Sequence, residues 1–240
     1  MSIRRNIRVC LSTNQFEKYA DGKSTVVVID LLRATSVIST AFECGISAII
    51  PVKTVEDALG YKDVKDYIIA AERNTLKIEG FDYGNSPYHY INSNIKGKTL
   101  VLTTTNGTKA IHLANKHKVI TASFININAV RDYLLRDKND IILFCSGWKG
   151  LFNLEDSIFA GALAKELLND SNFVSNCDSL QLSLQLYSNA KNNLFEYLKR
   201  SSYRKRNYSD QIIRDTHFCL NPTIDSNIVP HFAKGKLIIG

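Results

Sequence analysis

Long apolar runs are missing from this chain of 240 residues. No stretch approaches the length needed to cross a bilayer. The N-terminal MSIRRNIRVCLSTNQ carries basic residues but no apolar segment of signal-peptide length. The expectation is a soluble, cytoplasmic protein with no membrane partner. Cys10, Cys44, Cys145, Cys177 and Cys219 stand singly, with no C-x-x-C spacing. That argues against a zinc ribbon or a thioredoxin-type pair, and leaves them as small core residues in a reducing compartment. With only 4 Pro and 12 Gly, and no linker, repeat or low-complexity run, nothing divides the chain. Residues 1–240 are expected to form one large α/β domain, or two closely packed lobes.

Acidic residues are outnumbered, 23 against 30 basic, for a formal net charge of +7. The excess favours anionic partners. Its densest cluster, Lys199–Arg206 (KRSSYRKR), reads as a solvated helix end or loop in preference to a nucleic-acid patch. The common phosphate motifs are absent as well: there is no G-x-x-x-x-G-K-[ST] and no G-x-G-x-x-G. Asp30 is followed by Leu-Leu-Arg, which excludes the D-x-D pattern of haloacid-dehalogenase phosphatases.

What is present is a strong alternation of buried-strand and helix patterns. Ile7–Leu11, Thr25–Ile29, Ala48–Val52, Tyr67–Ala71, Thr99–Leu102, Val119–Ala122, Ile141–Cys145 and Lys236–Ile239 read as strands. Arg33–Cys44, Thr54–Val64, Asn106–Asn115, Asn128–Leu135, Leu154–Leu168, Asp178–Leu198 and Tyr208–Phe218 read as helices. A short helix is expected from Ser86 or Pro87, and Thr54 with Asp57 has capping-box spacing. Continuous apolar strands alternating with helices indicate βαβ units. The fold class is therefore α/β, a three-layer α/β/α arrangement around a mostly parallel sheet, with mixed edges allowed.

Chemistry gathers behind the strands. Asp30 and Arg33 follow the first strong one, and Glu72 and Arg73 follow YIIAA. Thr103–Thr108 (TTTNGT) follows VL, and Ser146–Gly150 (SGWKG) follows IILFC, with Glu155 and Asp156 just beyond. In a parallel sheet these sets share the edge where ligands bind. Asp30 has two readings, a cap on the next helix or a site acid. Thr104, Thr105, Asn106, Gly107 and Thr108 offer hydroxyls and amides suited to an anion; a simple helix cap would need only one of them. In EGFDYGNSP, Gly80 and Gly84 allow unusual backbone, while Asp82, Asn85 and Ser86 supply polar groups. Asp30, Glu72, Glu155 and Asp156 together could hold Mg²⁺, which takes carboxylate oxygens and water. Asp215 and His217 lie in a late helix, where a lone His is more often structural.

Val26–Ser36 (VVVIDLLRATS), Ala71–Pro87 (AERNTLKIEGFDYGNSP), Leu102–Ala110 (LTTTNGTKA) and Cys145–Leu163 (CSGWKGLFNLEDSIFAGAL), with Ile213–Pro230, together resemble the 2-phosphosulfolactate phosphatase family, the ComB-like proteins of coenzyme M biosynthesis. The similarity runs in order over nearly the whole chain. It departs where the family usually has glycine before the glutamate and this chain has Ala71, at Thr35-Ser36, where the family often has paired threonines, and in residues 171–207, which match weakly. The resemblance implies a ComB-like fold and a Mg²⁺-dependent phosphatase of a small phosphorylated acid, with another phosphorylated hydroxy acid as the alternative substrate. Asp30, Arg33 and Glu72 would be catalytic. Arg73, Asp82, Asn85, Ser86, Thr104, Thr105, Asn106, Gly107, Thr108, Ser146 and Gly147 would bind phosphate or substrate. Asp30, Glu72, Glu155 and Asp156 would hold the metal, and either Asp30 or a metal-activated water would attack phosphorus. A homo-oligomer such as a dimer is compatible with the sequence, and a nucleic-acid partner is disfavoured.

Overall fold

The computed structural model describes residues 4–91 and 93–239. The strands are β1 (Arg5–Cys10), β2 (Thr25–Ile29), β3 (Ala48–Pro51), β4 (Tyr67–Arg73), β5 (Leu76–Lys77), β6 (Thr99–Thr103), β7 (Lys118–Ala122), β8 (Ile141–Cys145), β9 (Phe173–Val174), β10 (Pro230–Ala233) and β11 (Lys236–Ile239). The helices are α1 (Phe16–Tyr19), α2 (Ala34–Glu43), α3 (Val55–Leu59), α4 (Gly107–Leu113), α5 (Ile127–Arg136), α6 (Leu154–Leu168), α7 (Asp178–Ala190), α8 (Leu194–Tyr197), α9 (Ser202–Arg206) and α10 (Asp210–Leu220). One sheet runs in the order β5-β4-β6-β3-β11-β10-β7-β2-β8-β1-β9. Most of its pairings are parallel, and helices cover its faces, as three-layer α/β/α architecture requires.

β2 is buried along its whole length between β7 and β8. Its Thr-Val-Val-Val-Ile run suits that position, because β-branched side chains pack well on a pleated surface and no residue needs to face water. Val27 and Ile29 pack towards α5 and α6 with Ile120, Leu143 and Cys145. Val26 and Val28 point the other way, as the two-residue strand period demands.

The last strand has a partner that the sequence pattern did not reveal. Pro230–Ala233 pairs with Lys236–Ile239 as a hairpin across Lys234-Gly235, both at positive φ as a tight two-residue turn needs. The hairpin sits in the middle of the sheet, between β3 and β7. From β3 to β7 every pairing is antiparallel, β3–β11, β11–β10 and β10–β7. The parallel block β4-β6-β3 therefore runs opposite to the block β7-β2-β8-β1, so the strand ends do not share one edge of a single parallel sheet.

A common core brings the blocks together instead. Val26, Val28 and Phe144 of one block and Leu100 and Leu102 of the other pack in one cluster with Val37 and Ile38 of α2 and Ala110 and Ile111 of α4. α2 leaves β2, α4 leaves β6, and the two helices touch. Their first turns meet, and with them the carboxyl ends of β2 and β6.

Other elements differ from expectation for local reasons. The helix expected over Thr54–Val64 is only Val55–Leu59, closed by Gly60, although Thr54 and Asp57 do form the capping box. The Asp178–Leu198 helix breaks at residues 191–193, and the Asn193 side chain accepts the Glu196 N–H to start α8. Glu72 and Arg73 lie inside β4, paired with Lys77 and Leu76 around Asn74-Thr75, which are at positive φ. No helix among the described residues is long and apolar enough to cross a membrane.

Candidate active site

Asp30 ends β2 where the chain turns into α2. It is 7% exposed. A cavity of about 20 Å³ lies at its carboxylate, walled by Arg33, Glu72, Asn85, Asn106, Trp148 and Tyr203. That is room for about one water-sized body. Burial, then the Asp156 and Glu72 carboxylates, push Asp30 up to about 8; the Ala34 N–H and the Ser146 hydroxyl oppose this only weakly. Burial and Asp156 likewise raise Glu155 to about 8. Glu155 is buried in the first turn of α6, and its Oε2 has no partner. Desolvation and like charge both disfavour ionised carboxylates, so this cluster takes up protons or a cation.

Asp156 has a different task. Its carboxylate accepts from Leu31 N at 2.9 Å, Ser146 Oγ at 3.0 Å, Gly147 N at 3.1 Å and Asn153 Nδ2 at 3.0 Å. It ties the end of β2 to the end of β8. Ser146 and Gly147 thus serve Asp156. Gly147 sits at φ +65, and a Cβ there would come within 2.3 Å of the Leu151 carbonyl oxygen.

Arg33 is buried in an ion pair with Asp215 of α10, and donates to the Thr75 carbonyl at 2.8 Å. Ser86 Oγ donates to the other Asp215 oxygen at 2.7 Å. The guanidinium therefore stands fixed at the cavity wall. Glu72 accepts the Thr75 N–H at 2.6 Å and the Thr105 hydroxyl at 3.3 Å. Thr104 and Thr108 cap each other reciprocally, each backbone N–H 3.2 Å from the other's hydroxyl. Both hydroxyl oxygens accept within the loop, and Thr108 Oγ1 also donates to the Thr104 carbonyl at 3.1 Å. Asn106 lines the cavity and accepts the Lys149 N–H at 3.1 Å, while Gly107 packs directly on Asp30.

Other predicted residues lie outside this cavity, among them Thr104 and Thr105, which line a separate cleft. Asp82 is exposed and accepts the Ile69 N–H at 2.9 Å, holding its own loop to β4. Arg73 donates to Thr103 Oγ1 at 3.0 Å and lines the same cleft as those threonines, with Lys53 and Lys109. Asn85 is in the cavity wall with Oδ1 unpartnered. Among the described residues, no three His, Cys, Asp or Glu side chains form a ready-made metal cage. Mg²⁺ does not require one, since it binds through one or two carboxylates and keeps several waters. The buried like charges and the orphaned Glu155 oxygen fit such an ion.

Tyr203 lines the cavity and Asp215 stands behind Arg33, and the sequence left both without a role. A signal existed for Asp215: Ile212, Asp215, Thr216 and Cys219 share one buried stripe of α10, and an acid on a buried stripe needs a partner. Tyr203 falls within the basic cluster, which obscured it. Its ring is buried, its hydroxyl has no partner, and its neighbour Arg206 stacks on Trp148 at 4.6 Å.

An α/β protein that buries acids beside a fixed arginine, at the meeting of its strand ends, is built to handle a small anion. The chain belongs to the 2-phosphosulpholactate phosphatase family, whose model matches residues 10–235. Relatives named as probable 2-phosphosulfolactate phosphatases include that of Thermotoga petrophila, 43% identical over 90% of this chain and 92% of its own. Those of Caldanaerobacter subterraneus, 39% identical over 89% of each chain, and Clostridium tetani, 36% identical over 96% of this chain and 98% of its own, are similar over the same breadth.

Proposed function

We propose that this chain hydrolyses 2-phosphosulfolactate to sulfolactate and phosphate with Mg²⁺ at the Asp30 cavity. Family membership supports the reaction. The observation that carries the site is the burial of Asp30, Glu72 and Glu155 close together, with Arg33 in the cavity wall already paired with Asp215. Asp30 and Glu72, which line the cavity, and Glu155 would hold the ion. When bound, Mg²⁺ neutralises charge on the phosphoryl oxygens.

The chain's own groups do the rest. Arg33, fixed by Asp215, presents a planar donor pair to a phosphoryl group. The Asn85 and Asn106 amides orient that group. Trp148 and Tyr203 close the cavity against bulk water, which strengthens each of these contacts. In this reading Asp30 is the nucleophile: its oxygen bonds to phosphorus as the ester P–O bond breaks. The sulfolactate oxygen leaves and takes up a proton, and water then releases phosphate from the aspartyl phosphate.

The test is phosphate release from 2-phosphosulfolactate with Mg²⁺ and with EDTA, together with rapid acid quenching on ³²P-labelled substrate. Release that stops in EDTA, with a labelled phosphoenzyme absent from Asp30→Asn, is expected. Inversion at phosphorus would sink the covalent route, and activity indifferent to EDTA would sink the metal.

A further inference from the structure

The Asp30 cavity is too small for a whole organic phosphate, but it has a neighbour. A second cavity of about 200 Å³ adjoins it, and Arg33, Thr75 and Asn85 line both. Its far side is formed by Lys77, His89, Ser209 and Gln211. We propose that this second cavity receives the acid-bearing end of the substrate, with Lys77 and His89 as the residues that select a second anionic group. The proposal rests on the phosphatase reading of the Asp30 cavity and adds where the leaving group lies.

Lys77 makes no ion pair with a carboxylate among the described residues. Among the described residues its ammonium donates only to the Asp82 carbonyl oxygen, at 3.1 Å. An ammonium has three donors, so most of its capacity remains for a ligand. His89 accepts the Gly84 N–H on Nδ1 at 3.0 Å. That assigns its proton to Nε2 and makes the ring a donor there. Burial lowers the His89 pKa, so the ring is neutral and binds by hydrogen bonding.

Gly84 brings these two side chains together. A Cβ at Gly84 would lie 2.8 Å from Lys77 Cβ and 3.1 Å from His89 Cε1. Only glycine lets the backbone pass between them this closely. Asn85 stands at the junction with an unpartnered amide oxygen, so the passage between the cavities is polar. Asp215, the buried acid nearest Arg33, is already satisfied by Arg33 and Ser86 and leaves the Lys77 charge uncancelled.

Size narrows the ligand class. Drug-sized ligands take cavities of about 300–1,000 Å³, so this one suits a molecule of a few carbons. A carboxylate and a sulfonate on a short stem match it in volume and charge. The rival place for such a group is the cleft of about 400 Å³ lined by Lys53, Arg73 and Lys109. The Thr105–Glu72 hydrogen bonds separate that cleft from Asp30.

The experiment is calorimetric titration of sulfolactate, which has the acid groups and no phosphate, into the wild type, Lys77→Met, Lys77→Arg and Lys109→Met. Alongside it, kcat/KM is compared for 2-phosphosulfolactate, 2-phospholactate and isopropyl phosphate. Lys77→Met is expected to weaken sulfolactate binding about 10- to 100-fold, the scale of one charge-assisted contact, with Lys77→Arg restoring most of it. The preference for 2-phosphosulfolactate over isopropyl phosphate should fall by a similar factor, through KM. Sulfolactate binding unmoved by Lys77→Met, or lost in Lys109→Met instead, overturns the proposal. Sulfolactate binding that depends on Lys77 in a protein that hydrolyses none of the three esters would uphold the subsite and overturn the phosphatase reading.

Discussion

A Cβ on Gly107 would lie 2.8 Å from Asp30 Oδ2, and 2.6 Å from the Ala34 Cβ. Gly107 opens α4 and Ala34 opens α2, so this contact is where the two helix starts meet. It lets the end of β6 come against the acid at the end of β2.

Gly107→Ala should therefore damage both fold and site. Overpacking a close contact costs about 1–3 kcal/mol, read as a lower urea midpoint. Displacing Asp30 should lower turnover by about 100-fold. An alanine variant with unchanged kcat would show that the contact relaxes freely.

The Arg33–Asp215 pair is wholly buried. Asp215→Ala leaves an unpaired cation inside the protein and should cost about 3–5 kcal/mol by urea unfolding. The double variant Arg33→Met with Asp215→Leu should regain most of that stability and none of the activity. A double variant no more stable than Asp215→Ala would mean that the pair itself, not the isolated charge, sets the cost.

Asp30→Asn should abolish phosphate release, on the order of 10⁴-fold or more as for loss of a reacting group. Its melting temperature without Mg²⁺ should equal or exceed the wild type's, because a carboxylate held at about 8 by burial and its neighbours is a charge the fold disfavours. Mg²⁺ should raise the melting temperature of the wild type and not of the variant.

Asp137 governs part of the acid stability. Burial opposes its ionised form, yet the Thr25 hydroxyl, the Lys118 ammonium and the Lys138 N–H prevail and hold its pKa below the usual value. A depressed folded pKa means stability that is present above the unfolded value of about 3.9 and lost as pH falls through the folded one. The wild-type urea midpoint should drop from pH 5 to about pH 3, and Asp137→Asn should flatten that slope while lowering the midpoint at pH 7.

The parts of the fold that could be read from the sequence are those where local pattern and burial agree. β2 and β8 are continuous apolar runs because both their faces are covered. Asp30, Arg33 and Glu72 stood out because polar groups at the ends of such runs are few. The central hairpin was hidden. β10 carries a proline and a histidine and is only partly buried, so it lacks the signature of an inner strand. The Thr104 and Thr108 hydroxyls looked available for an anion, and only the folded loop shows each accepting the other residue's backbone N–H. Asp82 and Asp215 show the same ambiguity in opposite directions. One acid accepts a backbone amide at the surface and the other anchors Arg33 in the interior.

The sequence by itself determined the α/β class and the strands and helices nearest the site, because side-chain period and strand-end chemistry are local properties, and its ordered motifs carried the resemblance to the family. Tertiary structure alone decided which strand ends meet. Two parallel blocks of opposite sense are joined by a late hairpin, and the packing of α2 on α4 brings Asp30, Glu72 and Asn106 to one cavity. Contacts between residues so far apart in the chain depend on how the layers stack, and no local pattern encodes that.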